Sequence, residues 1–250
     1  MRLTVLASGS SGNGYLFEGR RSALLVECGV KPEQLMLTAA VPLSRIEGAL
    51  VSHEHGDHAG YVARYASLGI PVYASRGTLK AAGPFGAGAR IKEVKAMQVF
   101  WAGEFKVMPF DVRHDAEEPL GFVIEHPEAG RVLFLTDTTV CPYDFRELGL
   151  DHILVEANYD DAIMDGNVAN GIVEVSRAQR TRGTHMSLRQ ACELVKADQT
   201  AELKNVVLIH LSEQNADARE FARRMADVAL FSRVHVARAG LVVELNKFEI

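Results

Sequence analysis

Ala49-Leu50-Val51-Ser52-His53-Glu54-His55-Gly56-Asp57-His58 is the stretch that decides how this chain folds. A short apolar strand runs directly into three histidines and one aspartate packed within six positions. His53 and His55 stand two apart, so a turn can aim both rings at one point. Asp57 and His58 are adjacent and can face a second point. Imidazole and carboxylate are donors for zinc, manganese or iron. Outward from this cluster, further ligand candidates recur in one setting. His114 follows a strand-like run at 105–112, Asp137 follows Val132-Leu133-Phe134-Leu135-Thr136, and His210 follows Val206-Val207-Leu208-Ile209. A site at the edge of a sheet draws its ligands from such strand ends. A lone histidine after a strand is an ordinary capping or surface residue. Beside the first cluster these residues become ligand candidates, and their number exceeds what one tetrahedral ion accepts, so two metals are expected.

The surrounding chain has 250 residues, enough for a substantial core in one large unit. Hydrophobic residues make up 48% and charged residues 24%, an ordinary globular composition. The formal net charge of −5 argues against a non-specific basic coat for nucleic acid. It leaves room for a nuclease, because bound cations and a local basic patch can hold phosphate on an acidic protein. Cys28, Cys141 and Cys192 are odd in number and form no CxxC pair, which fits a reducing compartment. Met1 to Ala7 passes straight into Ser8-Gly9-Ser10-Ser11-Gly12 without developing a signal-peptide core. No apolar run approaches the roughly 20 residues of a spanning helix. The expectation is a cytoplasmic protein with no membrane partner; a homodimer is left open.

Apolar alternation predicts strands at 3–6, 15–17, 23–26, 49–52, 72–74, 91–94, 105–109, 122–125, 132–135, 153–155, 206–209, 234–236 and 241–245. Helical character marks 32–40, 59–68, 188–197 and 216–228. No repeat, low-complexity tract or linker interrupts the series. The chain reads as one α/β domain over 1–250, with sheets inside and helices outside.

The HxHxDH cluster, with His114, the Thr136-Asp137 step and His210, resembles the metallo-β-lactamase-fold hydrolases, in family order over nearly the whole chain. The resemblance implies a four-layer αββα sandwich. It implies that His53, His55 and His114 hold one metal, that Asp57, His58 and His210 hold the other, and that Asp137 bridges both opposite a nucleophilic hydroxide. Metal coordination lowers the pKa of such a water toward about 7. The implied cofactors are two divalent ions, zinc or manganese, with iron as the alternative. Asp57 counts among the catalytic residues as well as the ligands.

Four segments are similar to the YycJ/WalJ-like exonuclease branch: the opening from Leu6 to Gly14; His114-Asp115 with Pro119-Leu120-Gly121-Phe122; Val155-Glu156-Ala157-Asn158-Tyr159-Asp160; and His210-Leu211-Ser212-Glu213-Gln214-Asn215. Tyr159 stands where that branch commonly has a histidine. Thr184-His185-Met186-Ser187 resembles the histidine segment of tRNase Z-like and PhnP-like phosphodiesterases. Ser187 suits an N-cap, and His185 is placed to contact a scissile phosphate or protonate the leaving oxygen. Arg177, Arg180, Arg182 and Arg189 surround it and offer a phosphate-binding surface, Arg182 foremost; a solvated basic face is the competing reading. Ser10 and Asn13 are expected to line the cleft. Much of the fold carries Asp-x-Gly where this chain has Glu27-Cys28-Gly29. Glu27 and Glu156 are expected to brace the metal ligands from behind, and Cys28 to be a small buried residue.

The resulting expectation is a dinuclear phosphodiesterase, a 5′-exonuclease-like nuclease on DNA or RNA. Hydrolysis of a small or cyclic phosphodiester is the alternative. Thioester or β-lactam hydrolysis fits less well, because no helical substrate domain follows His210 and no export signal is present.

Overall fold

The computed structural model describes residues 1–247. Its strands build two seven-stranded sheets with helices around them. This is the α/β sandwich class expected from the sequence. The chain divides into two compact units. The first comprises Met1–Asp111, Ala116–Gly130 and the segment from Arg238 onward; the second comprises Val112–Asp115 and Arg131–Ala237.

In the first unit, β1 (Arg2–Ala7), β2 (Gly14–Glu18) and β3 (Ala23–Val26) form an antiparallel meander. The sheet then turns parallel through β4 (Ile46–Leu50), β5 (Val72–Ala74) and β6 (Ile91–Glu93). Parallel neighbours need crossovers, usually helical. Here they are α1 (Pro32–Thr38), then α2 (Gly56–Ala59) with α3 (Val62–Ser67), then α4 (Arg76–Ala82). Pro32 opens α1, where its missing N–H costs nothing. Ser75 caps α4 by accepting the Thr78 N–H. Strands β2 and β3 are buried at every position, and Leu16, Leu25, Ala49, Val51, Tyr65 and Val72 lie in one hydrophobic cluster. The antiparallel strands β7 (Phe100–Ala102), β8 (Phe105–Asp111) and β9 (Leu120–His126) also lie in this unit.

The second unit holds β10 (Gly130–Leu135), β11 (His152–Glu156), β12 (Asn205–Ile209) and β13 (Arg233–Val236), all parallel. Their register sets Leu135 opposite Val155 and Glu156 opposite Ile209. The carboxyl ends of β10, β11 and β12 therefore share one edge, the edge where open α/β sheets bind ligands. The β11–β12 crossover carries α5 (Asp161–Ala169), α6 (Val175–Thr184) and α7 (Leu188–Asp198); α8 (Ala218–Ala226) precedes β13. Ser187 begins α7 with a capping box closed by Gln190. The first unit supplies the last strand, β14 (Val242–Glu244), antiparallel to β1.

The expected helix at 59–68 is displaced and interrupted, because α2 starts at Gly56 and a break falls between Ala59 and Val62. Strand β4 ends at Leu50, so Val51 and Ser52 already belong to the loop. Helices α4, α5 and α6 and strand β7 are not predicted from the sequence. Helix α6 buries only Ala178 and Thr184, and α5 only Met164, so neither shows the apolar stripe that marks a helix. They are held instead by a small cluster of Tyr159, Met164, Val173 and Ala178. No helix among the described residues is long and apolar enough to cross a membrane.

Candidate metal centre

The loop after β4 brings the first unit's histidines together. The His53 ring lies 4.6 Å from His55 and 4.2 Å from His58, centre to centre. Backbone bonds fix this loop from below. Asn13 N–H donates to the Asp57 carbonyl at 2.7 Å, Cys28 N–H to His58 at 2.7 Å, and Glu27 N–H to Leu50 at 2.8 Å. Gly29 passes so close that a Cβ there would lie 1.7 Å from the Asp57 oxygen. Only glycine fits that approach. Ser52 Oγ lies 2.8 Å from His53 Nδ1. The fully buried Glu27 carboxylate sits 3.5 Å from His58 Nδ1. The extra methylene of glutamate over aspartate thus still delivers a carboxylate to a histidine ring.

In the second unit the candidate residues gather at the shared strand edge. Asp137, just past β10, points its two oxygens at different histidines: Oδ2 lies 3.6 Å from His114 Nε2, and Oδ1 lies 3.5 Å from His210 Nδ1. His114 Nδ1 donates to the Thr184 carbonyl at 2.9 Å, which assigns the proton to Nδ1 and leaves Nε2 facing Asp137. Glu156, fully buried at the end of β11, makes four contacts. Its Oε1 lies 2.6 Å from His185 Nδ1 and 3.2 Å from His210 Nδ1. Its Oε2 accepts the N–H groups of Thr138 at 3.2 Å and Met186 at 3.1 Å. His185 stacks on His210 with ring centres 5.5 Å apart and planes 13° from parallel.

These contacts set the protonation. Burial pulls His185 down, but the Glu156 carboxylate outweighs it and holds the imidazole above its ordinary pKa. Burial likewise works against the charge on Glu156, yet its pairing with His185 keeps it below the usual carboxylate range. His114 is lowered, chiefly by burial.

Among the described residues, four non-glycine residues have positive φ: Glu27 at 70°, Met97 at 61°, Asp137 at 45° and His210 at 54°. Three of them belong to the candidate centre. Such conformations cost about 1–3 kcal/mol each and persist only where surrounding structure imposes them.

The remaining candidates divide. Asn13 is fully buried and its side chain serves the loop: Nδ2 donates to the Gly9 carbonyl at 3.1 Å and the Asp57 carbonyl at 3.2 Å, and lies 3.1 Å from His58 Nε2. Its contacts are those of a residue that positions Asp57 and His58, in place of the substrate-facing part expected of it. Ser10 is exposed. The guanidinium of Arg182 pairs with Asp165 at 2.5 Å and Asp161 at 3.8 Å, and Arg180 pairs with Asp115 at 2.9 Å. Arg189 pairs with Glu193 at 2.9 Å. The expected basic surface is therefore laced with carboxylates. Sequence reading missed Asn158, whose Nδ2 donates to the His210 carbonyl at 3.0 Å and lies 3.2 Å from His210 Nδ1. Its signal was its place beside Glu156 in the Val155–Asp160 segment. The Thr184 carbonyl that orients His114 had no side-chain signal at all.

The Beta-lactamase superfamily domain matches residues 23–211. The chain belongs to the beta-lactamase superfamily. Among curated relatives of this superfamily member, exodeoxyribonuclease YycJ of Bacillus anthracis is 29% identical over 236 residues, covering 89% of this chain and 86% of the relative. The metallo-beta-lactamase fold protein YhfI from Bacillus subtilis superposes with a TM-score of 0.75 at 20% identity, covering 97% of this chain and 99% of that one. Human tRNase Z, short form, gives a TM-score of 0.66 at 19% identity over 98% of this chain and 99% of its own. The two structural likenesses speak to the fold alone. The resemblance expected from the motifs is met. A superfamily fold of this kind implies divalent metals, and the donor set fits them: Asp137, Glu156, His185 and His210 each place one nitrogen or oxygen donor within 4.8 Å of the others.

Proposed function

We propose that this superfamily hydrolase is a dinuclear-metal phosphodiesterase, a 5′-exonuclease-like nuclease on DNA or RNA. The observation that carries the reading is Asp137, one carboxylate facing His114 with one oxygen and His210 with the other, beside a histidine that Glu156 holds at 2.6 Å. In this reading His53, His55 and His114 hold one cation, Asp57, His58 and His210 hold the other, and Asp137 serves both. Divalent cations, zinc or manganese, supply positive charge for phosphate oxygens and acidify water. The chain's own residues do the rest. Glu156 orients His185 and favours its protonated form, which suits it to donate a proton to a leaving oxygen. Glu27 and Asn13 hold His58 and Asp57 in place. The family match runs through both compact units, which supports their acting as one catalytic domain. The YycJ relative's name supports DNA as a substrate.

The test incubates purified protein plus Mn²⁺ or Zn²⁺ with end-labelled single- and double-stranded DNA and RNA, and with bis-p-nitrophenyl phosphate. Polymer cleavage is expected, and Asp137→Ala should lower it by about 10³-fold or more with an unchanged circular dichroism spectrum. Full activity in that variant sinks the mechanism. Cleavage of the small ester with no polymer cleaved moves the assignment to a small-phosphodiester hydrolase.

A further inference from the structure

The stretch from Arg76 to Lys95, all of it in the first unit, carries five cations against one carboxylate. The cations are Arg76, Lys80, Arg90, Lys92 and Lys95, and the carboxylate is Glu93, in a chain whose formal net charge is −5. All five cations are exposed. Among the described residues none of the five is paired with a carboxylate. The arginines near His185 in sequence differ, because Arg180, Arg182 and Arg189 each hold an aspartate or a glutamate. Lys80 follows Arg76 by one helical turn on the same face of α4, about 5–6 Å along it. Like charges spaced in this way weaken a helix, so they do not serve the fold.

The sheet puts this charge beside the first unit's metal loop. Strands β4, β5 and β6 are parallel neighbours, with Leu50 opposite Tyr73 and Ala74 opposite Glu93. Their carboxyl ends share one edge, the edge where open α/β sheets bind ligands. The end of β4 leads to His53 and His55, that of β5 to Arg76, and that of β6 to Lys95. Neighbouring strands lie about 5 Å apart, so the three ends are close. Val94 N–H donates to the Ala74 carbonyl at 2.9 Å. Glu117 N–H donates to Glu54 Oε1 at 2.8 Å, and Gly77 N–H donates to Glu118 Oε2 at 2.7 Å. Residues 117–118 therefore link the His53–His55 loop to the start of α4. These bonds turn Glu54 and Glu118 onto main-chain donors, so Glu93 and Glu117 are what oppose the five cations.

We propose that Arg76, Lys80, Arg90, Lys92 and Lys95 form a track that holds the phosphate backbone of the substrate strand outside the metal centre. The inference rests on nucleic acid being the substrate. Contacts from lysine and arginine to phosphate fix a strand in place and read no bases. They act by releasing counterions, so they weaken steeply as salt rises. The track therefore supplies affinity without base preference. An anionic lipid surface would meet the same charges, but it gives no reason for them to begin at a loop of metal ligands.

The direct test is fluorescence anisotropy of the metal-loaded protein with labelled phosphorothioate oligo-dT, whose linkages keep the charge and resist cleavage, between about 50 and 200 mM salt. A variant carrying Lys80→Gln, Lys92→Gln and Lys95→Gln together should bind about 10–50-fold more weakly, and its slope of log affinity against log salt should fall by about 2, at about 0.7 for each lost phosphate contact. A control carrying Lys31→Gln, Lys196→Gln and Arg219→Gln removes the same charge from exposed positions elsewhere. Its affinity should stay within about twofold of the wild type. Oligo-dA should reproduce the oligo-dT result. Wild-type binding by the first variant, an unchanged slope, or an equal loss in the control overturns the track. Loss of binding to phosphatidylserine vesicles with oligonucleotide binding kept overturns it in favour of a lipid surface. Binding that depends on the track, with no cleavage of unmodified DNA or RNA, defeats the catalytic reading and leaves the track standing. Cleavage of DNA or RNA by the wild type, with the first variant binding as the wild type does, has the reverse outcome.

Discussion

The first unit carries His53, His55, Asp57 and His58 on one loop, whereas the second draws His114, Asp137 and His210 from three separate places in the sequence. The two sets are fixed by different means. In the first, main chain grips main chain: Asn13, Glu27 and Cys28 N–H groups bond to carbonyls in or before the loop, and Gly29 closes against Asp57, with the Asn13 and Glu27 side chains adding contacts to His58. In the second, side chains do the holding. Glu156 reaches His185 and His210, Asn158 reaches His210, and the Thr184 carbonyl reaches His114. A set of ligands close in sequence can be placed by one rigid loop. A dispersed set needs a shared partner, and the buried Glu156 is that partner.

The contrast predicts different kinds of damage. Gly29→Ala forces a methyl onto the Asp57 carbonyl, where an ideal Cβ would lie 1.7 Å away. Backbone cannot yield as a flexible side chain does, so a loss of about 3 kcal/mol is expected, near the upper end for overpacking. For a chain of this size that is a Tm fall of about 9 °C, read by thermal denaturation of the metal-free protein. A fall under about 2 °C, with activity kept, would show that main-chain packing does not lock the loop. Glu156→Gln should act in the opposite sense. It keeps the shape but turns one acceptor oxygen into a donor, which conflicts with the Thr138 and Met186 N–H groups or with the two histidines. Metal affinity or activity should drop about 10–100-fold, the usual effect of disturbing a group that orients metal ligands, with a smaller change in Tm than Gly29→Ala. If Glu156→Gln proves the more thermally damaging of the two, the distinction between backbone-held and side-chain-held ligands is wrong.

The same contrast explains what the sequence disclosed. The His53–His58 cluster was legible because its ligands are neighbours in the chain. The buried strands β3, β10 and β12 were legible because apolar runs such as Val206–Ile209 have few other uses. His114, Asp137 and His210 could be proposed because strand ends are where sheet-edge sites collect. The supports were harder to see. Helix α6 delivers His185 from a segment, Val175–Thr184, with almost no apolar face, so its periodicity is silent. Asn13 looked like a cleft residue because a Gly- and Ser-rich loop leaves side-chain direction undefined, and only the fold turns it inward. Arg182 looked like a phosphate ligand because its partners, Asp161 and Asp165, lie on a helix the sequence did not announce. Exposed pairs of this sort contribute about 0–1 kcal/mol, so they redirect a side chain more than they stabilise the fold.

The smallest effect concerns a buried carboxylate with no histidine to offset it. Glu18 in the first unit receives Arg2 at 2.6 Å, Thr4 at 3.0 Å and the Ala40 N–H at 3.0 Å. Asp198 in the second unit accepts the Phe145 N–H at 2.8 Å. Burial pushes Asp198 up to about 6, against the opposing pull of that N–H, and neighbouring Asp144 adds to the rise. A carboxyl with a raised folded pKa favours the protonated native state. Its contribution is therefore greatest below about pH 4, near the unfolded value, and is lost as pH climbs through about 6. Asp198→Asn retains an acceptor oxygen for Phe145 and removes the charge. It should stabilise the protein by about 1 kcal/mol at pH 7.5, a Tm gain of about 3 °C, and by nearly nothing at pH 4. An equal gain at both pH values would mean that the cost at this position is packing and not charge. In that case Glu156, whose charge is offset by its partners, would differ from Asp198 in packing as much as in electrostatics.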